Sequence, residues 1–245
     1  NFYDLVFDDP AVSISRWTDC EGYHTRIRAQ SGAIEELRVF NDASYSYAIS
    51  RYLLQDIDEF SVVIEAMDSC NAVPRWERYE AWQEALGDLG YIYLQLPYSG
   101  LGYLISRYFG VEKTIYAFYD HPNETRALVD SVNRCNLRIL DRLLDGPFET
   151  LFMSDNYDSN VQTRELFDEL SREYYAEVAD RVHRAGKFLA AHVDGEMRGA
   201  LSWMRDCGVD CVDAATPAPM FALSPAAARE EAGNDLILSG GIPPT

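Results

Sequence analysis

From Tyr91 onward one pattern recurs five times: a short, unbroken apolar block, a polar or glycine-bearing break, then in all but the last case a stretch of helical periodicity. The blocks are YIYLQLP, ETLFMSDN, KFLAAHVDG, VDCVDAA and LILSGGI. An unbroken apolar run too short for a helix suits a strand buried on both faces, and a single helix between two such strands is the crossover of a parallel βαβ unit. The spacing predicts parallel strands over about Tyr91–Leu96, Glu149–Ser154, Lys187–His192, Val209–Val212 and Leu236–Ser239. Helices are expected over Gly100–Phe109, Pro122 to about Leu144, Thr163–Ala185, Glu196–Asp206 and SPAAAREEAG. The last block runs into GGIPPT with no covering helix. A closed barrel needs more units than these, so the expectation is a portion of a longer chain, incomplete at both ends.

The chain before Tyr91 reads differently. AVSISRW, YHTRIRAQ and AIEELRVF alternate with period two and are separated by the turn-prone DCEG and SGA. That is the pattern of an antiparallel meander, here an appendage over residues 1–41 of a single domain spanning 1–245. A helix is expected over Asp42–Tyr52 and another from near Pro74 through PRWERYEAWQEALGDLG.

Composition narrows the function. With 40 acidic against 21 basic residues the net charge is −19, which opposes binding to nucleic acid. No apolar run reaches the roughly 20 residues of a membrane span. The five cysteines are odd in number and lack C-x-x-C spacing, which predicts reduced thiols in a cytoplasmic protein. Cys207 is expected to end a helix and Cys211 to lie in the strand after it.

In parallel α/β folds the working face lies at the C-terminal ends of the strands. Those ends carry Ser154, Asp155 and Asn156, then His192, Asp194 and Gly195, then Asp213, then Gly240 and Gly241. Strand alternation sets His192 and Asp194 on one face above the small Ala190, and places Cys211 and Asp213 together on the neighbouring strand. A histidine there is either a hydrogen-bonded structural residue or a working one. Imidazole beside carboxylate can ligate a divalent metal or run acid–base chemistry. A catalytic zinc site wants about three protein ligands, so His192 and Asp194 need a third, from Cys211, Asp213, Glu196 or residues beyond Thr245. The Gly240–Gly241 pair is either a tight turn or a place where backbone approaches substrate closely.

The succession LPYSGLGYLISRYFG, DHPNETRALVDSVN, LFMSDNYDS, AGKFLAAHVDG, GVDCVDAATPAPM and LILSGGIPP resembles the uroporphyrinogen decarboxylase superfamily, which also holds corrinoid-linked methyltransferases. The resemblance implies a (β/α)8 TIM barrel. It implies that Tyr103 and Ser154 lie at the substrate; Asn156, Asp213, Gly240 and Gly241, from their places at the strand ends, are expected to contact it too. His192 is similar to the first zinc ligand of an H-x-C-G motif, with Asp194 in place of the cysteine. It would make His192, Asp194 and Cys211 the ligands of zinc or another divalent metal, and Asp155, Asp194 or Glu196 the catalytic carboxylates. A porphyrinogen rich in carboxylates needs arginines, whereas this rim is acidic, with Arg198 alone nearby. Methyl transfer between a small molecule and a corrinoid protein is therefore favoured. Decarboxylation without a cofactor is the second reading and a catalytically silent binding barrel the third. A homodimer is compatible with all three.

Overall fold

The computed structural model describes residues 1–216, 218 and 221–241. The chain divides into two compact units. One comprises Asn1–Asp4, Ala72–Ser99 and the chain from Asn136 onward; the other comprises Leu5–Asn71 and Gly100–Cys135.

Strands β1 (Tyr3–Phe7), β2 (Ser13–Thr18), β3 (Tyr23–Ala29), β4 (Gly32–Asn41) and β5 (Ser46–Arg51) come first. Then follow α1 (Phe60–Ser69), β6 (Cys70–Pro74) and α2 (Trp76–Leu86). β2, β3, β4 and β5 form an antiparallel sheet in that order, and β1 pairs with β6. The expected meander is present, but it runs on to Arg51 where a helix was expected over Asp42–Tyr52. The reason is local. Asn41 Oδ1 caps the turn by accepting the Ala43 N–H at 2.9 Å, and Tyr45 adopts a left-handed φ of 50°. From there SYAISR alternates with period two and pairs along β4, Asn41 opposite Ser46 and Phe40 opposite Tyr47.

The parallel sheet holds β7 (Leu94–Leu96), β8 (Thr150–Met153), β9 (Phe188–His192), β10 (Cys211–Ala215) and β11 (Ile237–Gly240). Every neighbouring pair is parallel, in the order β11-β10-β9-β8-β7. All five expected strands are there, their ends shifted by at most three residues. Because β7 and β11 are edges, the described strands form an open sheet. The helices between them are α3 (Gly100–Tyr103) with a π-helical turn over Leu104–Tyr108, α4 (Val111–Asp120), α5 (Pro122–Leu143), α6 (Arg164–Leu170), α7 (Arg172–Arg184), α8 (Ala200–Asp206) and α9 (Pro225–Ala232). Thr163 caps α6 and Ser224 caps α9, each side chain accepting an N–H in the first turn. Two boundaries differ from expectation. The helix over Thr163–Ala185 breaks at Ser171, whose φ of −126° leaves the helical region. The helix expected from Glu196 begins only at Ala200, because Gly199 turns the chain at φ 83°.

One face of the sheet is the core. Leu94, Leu96, Leu151, Met153, Leu189, Ala191, Val193 and Val212 on it are all at most 1% exposed. Each such burial contributes roughly 1.5–3 kcal/mol for a leucine-sized side chain. The alternate positions, Gln95, Phe152, Ala190, His192, Cys211, Asp213 and Ser239, share the opposite face, where Gln95 and Ser239 are exposed.

In the second unit, Gly100 tests the close fit of α3 on α5. A Cβ there would lie 2.4 Å from the Val129 carbonyl oxygen, and the Gly100 N–H is donated to Asn133 Oδ1 at 2.8 Å. Gly100→Ala is expected to destabilise the protein by about 1–3 kcal/mol in urea unfolding, since backbone cannot yield as a side chain can. An unchanged midpoint would show that the two helices have room to part.

Candidate active site

At the C-terminal edge of the sheet the strands stay tied together beyond their last paired residues. Tyr157 N–H donates to the His192 carbonyl at 3.1 Å, Val193 N–H to the Asp213 carbonyl at 3.0 Å, and Gly241 N–H to the Ala215 carbonyl at 2.9 Å. These bonds hold three post-strand loops side by side. Two non-glycine residues on this rim have left-handed backbone, Asn156 at φ 47° and Ala214 at φ 60°. Such conformations cost energy and persist only when the surroundings impose them. At Ala214 the cause is a bulge between Val212 and Ala215 in the pairing with β11. The bulge brings Gly240 so close that a Cβ would lie 2.8 Å from the Ala215 nitrogen. Gly240 thus serves strand pairing, and Gly241 continues it; Ile242 to Pro244 of the same run lie outside the described residues.

His192 ends β9 directly opposite Asp213 on β10. Its Nδ1 lies 2.9 Å from Asp213 Oδ2, with the two side chains 24% and 38% exposed. A carboxylate accepts only, so Nδ1 is the donor to Asp213 and Nε2 is the nitrogen turned away from it. Nε2 has no hydrogen-bond partner among the described residues. The Phe152 ring lies 5.8 Å from the imidazole on the β8 side, and Ser239 on β11 reaches the second oxygen of Asp213 in a long 3.4 Å contact. Side chains from four adjacent strands, β8 to β11, thus meet around one imidazole that is oriented through a carboxylate.

The other expected residues fall into distinct roles. Asp155 turns into the core at 1% exposure. Its oxygens accept the Ser99 N–H at 2.6 Å and the Tyr175 hydroxyl at 2.7 Å, so it ties the loop after β7 to α7. Glu196, 8% exposed, accepts from the Arg198 and Ala222 N–H groups at 3.0 and 3.1 Å and clamps two loops. Both were expected as proton carriers; in each, both carboxylate oxygens accept a hydrogen bond from a neighbouring loop or helix. Asp194 is exposed, two residues beyond His192. The glycine after it has a steric cause: a Cβ on Gly195 would meet Asp158 Cβ at 2.4 Å. Ser154 is buried and accepts from Gln95 Nε2 at 2.6 Å. Cys211 lies one pleat below Asp213, and burial, then the Asp213 and Asp210 carboxylates, raise its thiol above the usual range. Tyr103 belongs to the other unit, where it stacks on Tyr108 at 4.7 Å.

Metal ligation by His192, Asp194 and Cys211 is not supported by their geometry. Among the described residues, their donor atoms are not gathered within 4.8 Å of one another, and the trio that meets that distance lies elsewhere, at Asp19, Glu21 and His24. Gln95 and Ser239 were not anticipated. Each is the lone polar residue of its apolar block on the His192 face, so strand alternation held the signal. Tyr175 gives none, since a helical tyrosine one turn from several others looks like core.

These features define a parallel α/β protein with an imidazole–carboxylate couple on its working edge. The family model for uroporphyrinogen decarboxylase (URO-D) matches residues 96–245, and the chain belongs to that family. A methyltransferase from Methanosarcina mazei shares the fold with a TM-score of 0.54 at 14% identity, over 80% of this chain and 56% of that one. The chain thus spans little more than half the length of that protein. No curated protein sequence matches it. Among the described residues, no helix is long and apolar enough to cross a membrane.

Asp155 yields a pH-dependent prediction. Burial raises its pKa, partly offset by the hydrogen bonds from Ser99 and Tyr175. Between the usual carboxylate value and its own raised one, the folded protein keeps a proton that the unfolded chain has released. Its contribution to stability is therefore full below about pH 4 and lost as pH rises through the folded value. Asp155→Asn retains an acceptor for Ser99 and cannot ionise, so its stability against pH should lack this decline. Parallel urea titrations from pH 4 to 8 read the difference; identical slopes would mean that Asp155 ionises freely.

Proposed function

We propose that this URO-D family protein is an enzyme that moves a methyl group between a small molecule and a corrinoid protein. The observation supporting it is the His192–Asp213 couple, on an edge that also carries the exposed Asp194. Carboxylates packed against a polyanionic porphyrinogen would repel it, whereas a neutral or cationic methyl donor suits them. The corrinoid, when bound, supplies the centre that accepts or donates the methyl group. What the chain's own residues do is proton chemistry. When the bond between methyl and heteroatom breaks, the heteroatom is left with an electron pair, and His192 Nε2, if protonated, delivers a proton to it. In the reverse direction Nε2 takes the proton from the heteroatom that gains the methyl. Asp213 keeps Nδ1–H oriented and stabilises the imidazolium in either case. No step is assigned to a metal, because His192 with an exposed Asp194 falls short of the about three ligands a catalytic zinc needs. The whole protein would complete the sheet as a (β/α)8 barrel with this edge as its mouth.

Decarboxylation is the second reading, supported by the family match. There the same imidazole would protonate the carbon from which carbon dioxide leaves.

The full-length protein should transfer methyl groups to cobalamin from a panel of methylated thiols, amines and phenols, followed by the cobalamin absorbance. His192→Ala should lower kcat by about 10²–10⁴-fold with KM little changed. Asp213→Asn, which keeps an acceptor but loses the charge, should show a smaller loss, also in kcat. Carbon dioxide release from carboxylated substrates without methyl transfer would establish the second reading, and full activity in His192→Ala would reject both.

A further inference from the structure

The turn joining β2 to β3 brings together a histidine and two carboxylates that the working edge does not use. His24 lies on β3, Asp19 and Glu21 lie in the turn before it, and one donor atom of each lies within 4.8 Å of the other two. The His24 side chain is 4% exposed. Trp17 stacks on its ring at 4.7 Å and 5°. Each ring nitrogen faces a carboxylate: Nδ1 meets Glu35 Oε1 and Nε2 meets Asp19 Oδ1, both at 3.1 Å. Neutral imidazole has one N–H and can donate to only one of them. The other contact sets a lone pair against a carboxylate oxygen, which is repulsive unless a second proton or a metal cation lies there.

Glu35 decides which nitrogen that is. Arg26 donates to its Oε2 at 2.9 and 2.6 Å, and Arg51 to its Oε1 at 2.6 Å, so this carboxylate is held in place as the acceptor for Nδ1–H. Nε2 is left facing Asp19, with Glu21 completing the trio whose donor atoms lie within 4.8 Å of one another. A carboxylate on the far nitrogen is the arrangement that orients a histidine for metal and raises its basicity. The 3.1 Å between His24 Nε2 and Asp19 Oδ1 also fits, since two ligands at about 2.0–2.1 Å from a tetrahedral zinc are about 3.3 Å apart.

We propose that Asp19, Glu21 and His24 bind one divalent cation of the zinc class, with Glu35 orienting the imidazole from outside. Three protein ligands leave a fourth position for water. The nitrogen ligand selects against magnesium and calcium, which favour oxygen alone. Since the ligands meet only when β2 and β3 are paired, the cation would stabilise the antiparallel sheet by binding the folded form.

Calorimetry on chelator-treated full-length protein, with zinc and with magnesium, tests this. Wild type and His192→Ala should each bind one zinc equally well and no magnesium, which separates this site from the working edge. His24→Gln should abolish binding. Glu21→Gln, which alters only an exposed side chain and leaves the fold intact, should weaken it about tenfold or more, and zinc should raise the Tm of wild type but not of His24→Gln. Nitrogen-15 shifts of the His24 ring give a second readout: with zinc bound, Nε2 should carry no proton. Absence of zinc binding, unchanged binding in Glu21→Gln, or a ring that keeps both protons in excess zinc would overturn the proposal and leave an imidazolium held between Asp19 and Glu35.

Discussion

Parallel register is the constraint on which the working edge depends. In a parallel ladder the residue opposite is set by the hydrogen bonds of the whole strand, so Asp213 reaches His192 because Cys211 is aligned with Ala190 and Val212 with Ala191. A slip of one residue would carry Asp213 to the core face and set Val212 beside the imidazole. The core therefore guards the site: Val212, Ala191 and Leu189, each at most 1% exposed, penalise any register that moves them outward. Stability and chemistry are written on alternate residues of the same two strands.

The acidity of the molecule has several meanings that net charge alone merges. Asp155 and Glu196 are buried and act as acceptors for backbone N–H groups, holding loops where no helix or strand can satisfy those donors. Leaving such a buried donor unpaired would cost about 1–3 kcal/mol. Asp213 orients an imidazole, Asp194 remains in solvent, and Glu35 is braced by two arginines in the antiparallel sheet. Position sets the role of each carboxylate.

The two histidines on which the functional readings rest, His192 and His24, follow one logic. Each is oriented through Nδ1 by a carboxylate, so each presents Nε2. What differs is the space before that nitrogen. At His192 it has no partner among the described residues, which suits proton exchange with a substrate. At His24 it faces the Asp19 carboxylate, which suits a held cation.

Much of this is legible in the sequence. Apolar blocks of strand length separated by helical stretches require parallel βαβ units because the backbone must be satisfied and both faces covered. Alternation alone put His192 with Asp194, and Cys211 with Asp213; that Asp213 stands opposite His192 is set by the register between the strands. What period and composition could not convey were contacts between residues distant in the chain. Asp155 and Glu196 look like rim carboxylates in one dimension, and only packing against Tyr175 and the Arg198 and Ala222 backbone turns them inward. SYAISR became a strand because β4 offered an edge to pair with, a tertiary effect that overrides weak local preference. The metal-ligand trio at the β2–β3 turn was likewise hidden in DCEGYH, since a tight turn folds residues five apart onto one point that no linear spacing displays. Sequence determined which faces are apolar and where chains must cross over. Tertiary structure decided which polar groups are left facing nothing, and those are the ones available for chemistry.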